Sequence, residues 1–428
     1  MAKLKVQIQM RRMIRPSTPT PKNLRSLKLS FFDQGAPRIC VPIMFHYLPS
    51  SECNREGIIK NCDKLQKSLA ETLTNFYPLA GRFREDEFSI HCNDEGVEYV
   101  ESKVNTDLAD FLREGPKIEP LDDLLPQMDQ PSSPLLGVQV NVFNSDAFTL
   151  ATFINEWAQT CRTGTTTEGC LPSFGQLSSI FPAKALSGPQ FSPPSNRGPK
   201  IITKRFVFDA LAIAKLKERI NSSATFMRPT RVVVVMSLIW KVLLRISLAK
   251  YGHSRDSSFL FPINLRGRSN LASLEHAQGN FYVTVAATLE AIELRRELND
   301  FVNSIGSTAG DTSLSIGKAS VDEIISLSIK WGTEIINKLG QGDEMDIYAS
   351  TSWCRFPWYE ADFGWGKPIW VSSVGRTFEV ICLFDTKNSE GIEAWVSLKE
   401  NEMIGFEKNR DILSSTSKVA FDSSIWIK

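Results

Sequence analysis

The chain has no Cys-x-x-Cys pair, no histidine cluster and no block of like charge, and its longest apolar run, Val232 to Leu244, is interrupted by Lys241. Each absence removes a class of function. The eight cysteines (Cys40, Cys53, Cys62, Cys92, Cys161, Cys170, Cys354 and Cys382) lie far apart with none of the four histidines at ligand spacing, which argues against zinc. They read as reduced thiols of a cytoplasmic protein. A net charge of +1 with scattered basic residues leaves no electrostatic footprint for nucleic acid. The apolar run is too short to span a bilayer. The opening stretch, Met1 to Leu29, has no acidic residue and five basic ones by Arg15, which faintly suggests an organelle transit peptide. Val6, Ile8 and Met10 alternate as a strand would, however, so a folded first strand is the expectation.

What is present is an ordinary globular makeup: 428 residues, 42% hydrophobic and 23% charged, enough for two packed domains. From Asn61, the residues Cys62, Leu65, Leu69, Leu73 and Phe76 fall three and four apart, one face of an amphipathic helix that Pro78 and Gly81 end. Leu135 to Phe143 alternates Leu136, Val138, Val140 and Val142 and reads as a strand. Asn144 or Ser145 can then cap a helix with an apolar stripe of Ala147, Leu150, Ala151, Ile154, Trp157, Ala158 and Cys161. Residues 163–200, rich in Thr, Gly, Ser and Pro, form the natural crossing between domains. The expected division is 1–186, a linker at 187–200, and 201–428. Beyond the crossing, Ile201 to Phe208 reads as a strand and Ala210 to Ile220 as a helix. Arg231 to Lys250 carries four successive valines, which favour a strand, but its length and the capping Thr230 decide for a helix. Thr377 to Phe384 and Ile392 to Leu398 alternate about the loop 387–391, which can close a hairpin. The class expected is α+β or open α/β.

Two stretches stand out: Thr351-Ser352-Trp353-Cys354-Arg355-Phe356-Pro357, and Asp362-Phe363-Gly364-Trp365-Gly366-Lys367-Pro368. With Tyr77-Pro78-Leu79-Ala80-Gly81-Arg82, Asn264-Leu265-Arg266-Gly267-Arg268, Gly279-Asn280 and Gly391-Ile392-Glu393-Ala394-Trp395-Val396, they resemble the plant BAHD acyltransferases, which move an acyl group from coenzyme A to an alcohol or amine. Pro16 to Pro21 and Leu29 to Asp33 resemble that family's opening. Ala151 to Ile154 with Trp157, and Lys204 to Asp209, resemble its vinorine synthase-like branch of alkaloid acetyltransferases. The resemblance implies two chloramphenicol-acetyltransferase-like domains with a channel between them. It also implies acyl-CoA, acetyl-CoA foremost, as co-substrate with no permanently bound cofactor, a small alcohol acceptor, and a monomer with neither nucleic acid nor membrane as partner.

The same resemblance exposes a gap. The family's catalytic base is the histidine of His-x-x-x-Asp-Gly, and here the matching region runs from Val138 to Leu150 without it. Residues before Asn144 resemble the strand that precedes the motif, and Asp146 onward resembles its aspartate and helix. The Gly-rich turn, the next strand and the histidine are missing, and His46, His91, His253 and His276 belong to no other His-x-x-x-Asp. Removing one antiparallel strand puts the helix start at the wrong end of a sheet roughly 20 Å long. Two loop residues cannot bridge that, so either 135–143 slides into the missing place with slack from 121–134, or the helix is displaced.

The resemblance gives Asp146, Asp362, Trp353 and Thr351 as catalytic-site candidates, and Arg266, Gly364, Trp365 and Gly366 as coenzyme-binding candidates. Asp146 is either the motif's aspartate, paired with Arg266, or a helix N-terminal residue favoured by the dipole. Asp362 and the Gly-Trp-Gly turn hold the channel's shape in such folds. Trp353 is either an oxyanion donor through its indole N–H or a core tryptophan. Lys367 and Arg355 read as ion-paired or solvated, with a contact to coenzyme phosphates as the alternative, and His276 reads as a surface histidine. Three readings of the whole chain follow: a coenzyme A-dependent O-acyltransferase of a specialised metabolite, a non-catalytic relative that binds a ligand or partner, or a truncated gene model of an active enzyme.

Overall fold

The structure, a computed structural model, describes residues 6–37, 41–47, 55–104, 121, 124–125, 134–140, 148–165, 172–184, 199–220, 229–271, 274, 277–291, 297–341 and 344–417. In the first half, the alternation that begins at Val6 is strand β1 (Val6–Ile14). After β2 (Ser26–Lys28), the short helix α1 (Phe31–Gly35) and β3 (Met44–His46) comes the long helix α2 (Arg55–Asn75). Then follow β4 (Arg82–Arg84), β5 (Ser89–His91), β6 (Val97–Val104), β7 (Gly137–Val140), helix α3 (Phe148–Thr163) and the short α4 (Gln176–Ile180). Strand β6 pairs antiparallel with β1 and parallel with β7, while β5 is flanked by β2 and β4. Helix α2 buries Leu65, Leu69 and Leu73 of the stripe read from the sequence, with Cys62 half-buried and Phe76 buried just past its end, but starts six residues earlier than expected.

The second half is built on one six-stranded mixed sheet in the order β10 (Tyr282–Leu289), β9 (Asp256–Asn264), β11 (Met345–Ser352), β13 (Val380–Asp385), β14 (Ile392–Lys399), β8 (Ile201–Phe208). Helices α5 (Ala210–Glu218), α6 (Arg231–Tyr251), α7 (Leu298–Lys318), α8 (Val321–Gly340), α9 (Glu400–Glu407) and α10 (Arg410–Ser415) complete it. The Arg231 stretch is a helix, as its cap indicated: Thr230 Oγ1 accepts from Val233 N at 3.2 Å. Its valines do not make a strand because the helix is enclosed, with Val234 to Leu243 continuously buried. By length and composition this 21-residue helix could cross a membrane, longer than its uninterrupted apolar run suggested, yet 61% of its most apolar window is buried within the protein.

The two faces of the large sheet serve different cores. Ile381, Leu383, Ala394 and Val396 point to the side that α6 and α9 cover, and Cys382, Phe384 and Trp395 point toward the first half. Exchange goes further. Strand β12 (Trp370–Ser372) leaves the second half to pair antiparallel with β3, Trp370 opposite His46 and Ser372 opposite Met44. Trp358, Phe363 and Trp370 pack in the first half's core, and Phe31, Phe32, Leu177 and Phe181 pack in the second's. Each fully buried aromatic contributes about 2–3 kcal/mol by removing apolar surface from water, so the exchange is a major stabilising term.

The expectation for the missing strand falls on residues 141–147 and on most of 121–134, which lie outside the described residues; on either side, β7 is described to Val140 and α3 from Phe148. Helix α3 is not displaced: it lies on α2, burying Ala151, Ile154, Trp157, Ala158 and Cys161, and Trp157 Nε1 donates to Leu65 O at 3.2 Å and to Ser68 Oγ at 3.0 Å.

Candidate active site

Strand β11 positions Thr351 on the sheet face that looks toward the first half, in register with Cys382 of β13. Two residues on, Trp353 keeps that direction because its backbone N–H still pairs, donating to Leu383 O at 2.8 Å. The indole meets Phe384 edge-on at 4.9 Å and lies 5.9 Å from the guanidinium carbon of Arg376. Thr351 and Trp353 are both half-buried, and no described residue accepts from the indole N–H. An unpaired N–H alone does not mark a ligand site, since that of the fully buried Trp395 has no partner among the described residues either; Trp353 differs in being only half-buried.

Beyond Trp353 the chain turns sharply toward the first half. Trp358 Nε1 donates to Trp353 O at 3.3 Å, and Asn155 of α3 donates to Pro357 O at 3.1 Å. Asp362 follows, and its carboxylate is already engaged. One oxygen accepts from Gly364 N at 2.8 Å and Gly366 N at 3.0 Å, and the other lies 4.0 Å from Arg162 Nη1. Both glycines have φ near +100°, where a side chain strains the backbone, and a Cβ on Gly364 would come within 3.1 Å of Lys64 Nζ. Phe363 packs edge-on against Trp157 at 4.9 Å, Trp365 stacks on Phe363 at 5.7 Å, and Tyr47 donates to Ala361 O at 2.7 Å. Burial, then the charge of Asp362, raises the Tyr47 phenol well above its ordinary range, so it stays a donor. The turn is a self-bonded clamp between the halves.

Arg266 sits on the turn between β9 and β10. Its guanidinium donates to Ala277 O at 2.7 Å, to Gly279 O at 2.6 Å and to Asn264 Oδ1 at 3.3 Å, bracing the turn between β9 and β10. Burial lowers it to about 10. Asp146, the partner expected for it, lies outside the described residues, as does His276. Lys367 is ion-paired, with Glu360, and Arg355 is exposed, its backbone N–H donating to Asp385.

A base facing Trp353 is not found among the described histidines. His46 is fully buried, stacked on Trp370 at 4.6 Å with Nε2 2.9 Å from Ser372 Oγ, and burial lowers it to about 3, so it is neutral and sealed. Trp370, Trp395 and Phe384 separate it from Trp353. His91 and His253 are exposed at the periphery. Among the described residues no three His, Cys, Asp or Glu side chains cluster as a metal site.

The comparisons with known proteins decide the family. A model of the Transferase family matches residues 4–413. The chain is 34% identical to an acetyl-CoA-benzylalcohol acetyltransferase of Clarkia breweri, covering 97% of this chain and 100% of that one. It is 31% identical to vinorine synthase of Rauvolfia serpentina, covering 91% and 93%. The crystal structure of vinorine synthase superposes with a TM-score of 0.78 at 28% identity, over 97% of this chain and 100% of that one. The chain belongs to the BAHD-type Transferase family. A BAHD member of this kind keeps the mixed α/β, two-domain architecture. The fold also matches TRI101 of F. sporotrichioides, complexed with coenzyme A and T-2, at a TM-score of 0.67 and 16% identity. The alignment to the Clarkia protein spans 449 positions against the 428 residues here, so that BAHD relative carries residues this chain lacks.

Sequence reasoning missed Arg376 and Cys382. Both sit beside Trp353 and Thr351 only because β13 lies next to β11 in parallel register, a pairing with no local signal.

Proposed function

We propose that this chain binds acetyl-CoA between its halves and transfers the acetyl group to an alcohol of a plant specialised metabolite, such as an alkaloid or a benzyl-type alcohol. The observation that carries this reading is the half-buried Thr351–Trp353 pair on the sheet face that looks toward the first half, with an indole N–H that no described residue engages. Acyl transfer needs a donor for the developing oxyanion, and the indole N–H meets that need. It also needs a group to take the acceptor's proton, and a positioned base is typically worth 10² to 10⁴ in rate. With no such histidine among the described residues, turnover is slow. Gly364, Trp365 and Gly366 support coenzyme binding by shaping the clamp, and Arg266 by bracing the β9–β10 turn. Five free thiols at Cys62, Cys92, Cys161, Cys354 and Cys382 suit a reducing, cytoplasmic setting, where we place the protein as a monomer. Nothing in the comparisons favours the non-catalytic reading. Titration with coenzyme A is the first test: saturating ligand raises the melting temperature by linkage. No stabilisation at millimolar coenzyme overturns the reading.

A further inference from the structure

Arg376 is a cation without a carboxylate among the described residues. Its backbone N–H donates to Thr203 Oγ1 at 3.1 Å, and one guanidinium nitrogen donates to Ser373 Oγ at 3.2 Å. The rest of the fork lies over the Trp353 indole and beside the Cys382 thiol. Other carboxylates of this region are taken. Glu393 holds Arg205 through two bonds of 2.6 and 2.7 Å, and Asp385 accepts from Arg231 at 3.0 Å and from Arg355 N at 2.5 Å. Asp362 is spent on its own turn, and Glu379 faces Lys399 at 3.1 Å. A guanidinium presents five donors in a planar fork; here one reaches Ser373 Oγ and another the Cys382 thiol, and the others are left beside the half-buried Trp353 ring.

We propose that Arg376 selects the acyl acceptor by charge, favouring an alcohol that also carries a carboxylate and disfavouring one that carries a protonated amine. This rests on the acyltransferase reading above and narrows its acceptors, placing carboxylate-bearing alcohols ahead of the amine-bearing alkaloids named there. Reacting atoms sit about 3–3.5 Å apart, so an acceptor hydroxyl attacking a carbonyl at Trp353 brings the rest of a small acceptor within reach of a cation lying over that indole. An anionic group there gains a charge-assisted, two-pronged contact, and a cationic one meets an uncompensated like charge.

The test uses three probes of one shape: 4-(hydroxymethyl)benzoate, benzyl alcohol and 4-(aminomethyl)benzyl alcohol. Coenzyme A is titrated first and alone into the parent protein and Arg376→Gln, which separates the acyltransferase reading and the fold from the acceptor preference. Each probe is then titrated by calorimetry at saturating coenzyme A. The expected ranking is hydroxy acid over alcohol by ~10-fold or more, and alcohol over amine, the scale of one charge pair near a protein surface. Arg376→Gln loses the preference with coenzyme affinity unchanged, Arg376→Lys keeps part of it, and Arg376→Glu favours the amine. The proposal is overturned by an unchanged ranking in Arg376→Gln, by equal binding of the three probes, or by no binding of any. It also falls if Arg376→Gln weakens coenzyme A itself, which would make the residue a coenzyme contact.

Discussion

Trp353 does two jobs with one ring, since its face and edge are held by Phe384 and Arg376 while its N–H is left for a ligand. Trp353→Phe separates them. The variant keeps most of the packing and loses the donor, so single-turnover acetyl transfer should fall by roughly 10²-fold or more, with coenzyme affinity unchanged. Equal loss of binding and turnover would return Trp353 to a packing role. Asp362 gives the opposite expectation. Asp362→Ala strands two backbone N–H groups and costs about 1–2 kcal/mol of stability, visible as a lowered melting temperature, while Asp362→Asn keeps an acceptor oxygen and costs less. Loss of transfer in Asp362→Asn at unchanged stability would show that the carboxylate takes part in the chemistry. His46 sets a pH dependence. Its folded value of about 3 lies below the ordinary histidine value of 6.5, so the unfolded chain binds the extra proton and stability is lost as pH falls through that window. Denaturant unfolding at pH 5 should show about 2 kcal/mol less stability from this group than at pH 6.5, and His46→Gln should flatten the slope. A slope that His46→Gln leaves untouched would assign the pH dependence elsewhere.

Among the elements, those with a strong local period or a cap were legible. The strand expected at 201–208 matches β8, and the helix expected at 231–250 is α6 with one residue added, because β-alternation and a Thr cap act within a few residues of chain. The stripe on α3 was legible for the same reason. What could not be read was pairing between distant segments: β12 with β3, and the Arg376–Trp353 contact that depends on the β11–β13 register. The candidate site divides along that line, with Thr351 and Trp353 visible as a motif, and their basic neighbour visible only in three dimensions. Between β7 and α3 the element scale also carries a prediction. Inserting a family-type Gly-Gly turn, strand and histidine between Phe143 and Asp146, the histidine four positions before Asp146, should restore strand parity and supply a base. Stability and acetyl transfer should both rise, and the same insert with alanine for the histidine should raise stability with little activity. If neither insert changes stability or rate, the missing strand is not what limits the protein.

At the scale of the whole molecule, the two halves are stitched rather than docked. With Phe31, Phe32, Leu177 and Phe181 in one core and Trp358, Phe363 and Trp370 in the other, neither half closes without residues from its neighbour. Calorimetry should therefore show one cooperative unfolding transition, and residues 201–428 expressed alone should lack a sharp one. Two well-separated transitions in the full chain would contradict this.

The stitch also imposes an order on synthesis. Leaving the ribosome, the first half has most of its chain by residue 181 but waits for Trp358, Phe363 and Trp370 before its interior can close. At 5–20 residues per second that wait lasts about 10–40 s, during which α2, α3 and β3 hold apolar surface with nothing yet to cover it. A nascent chain of this shape is a client for whatever shields such surface in the cell.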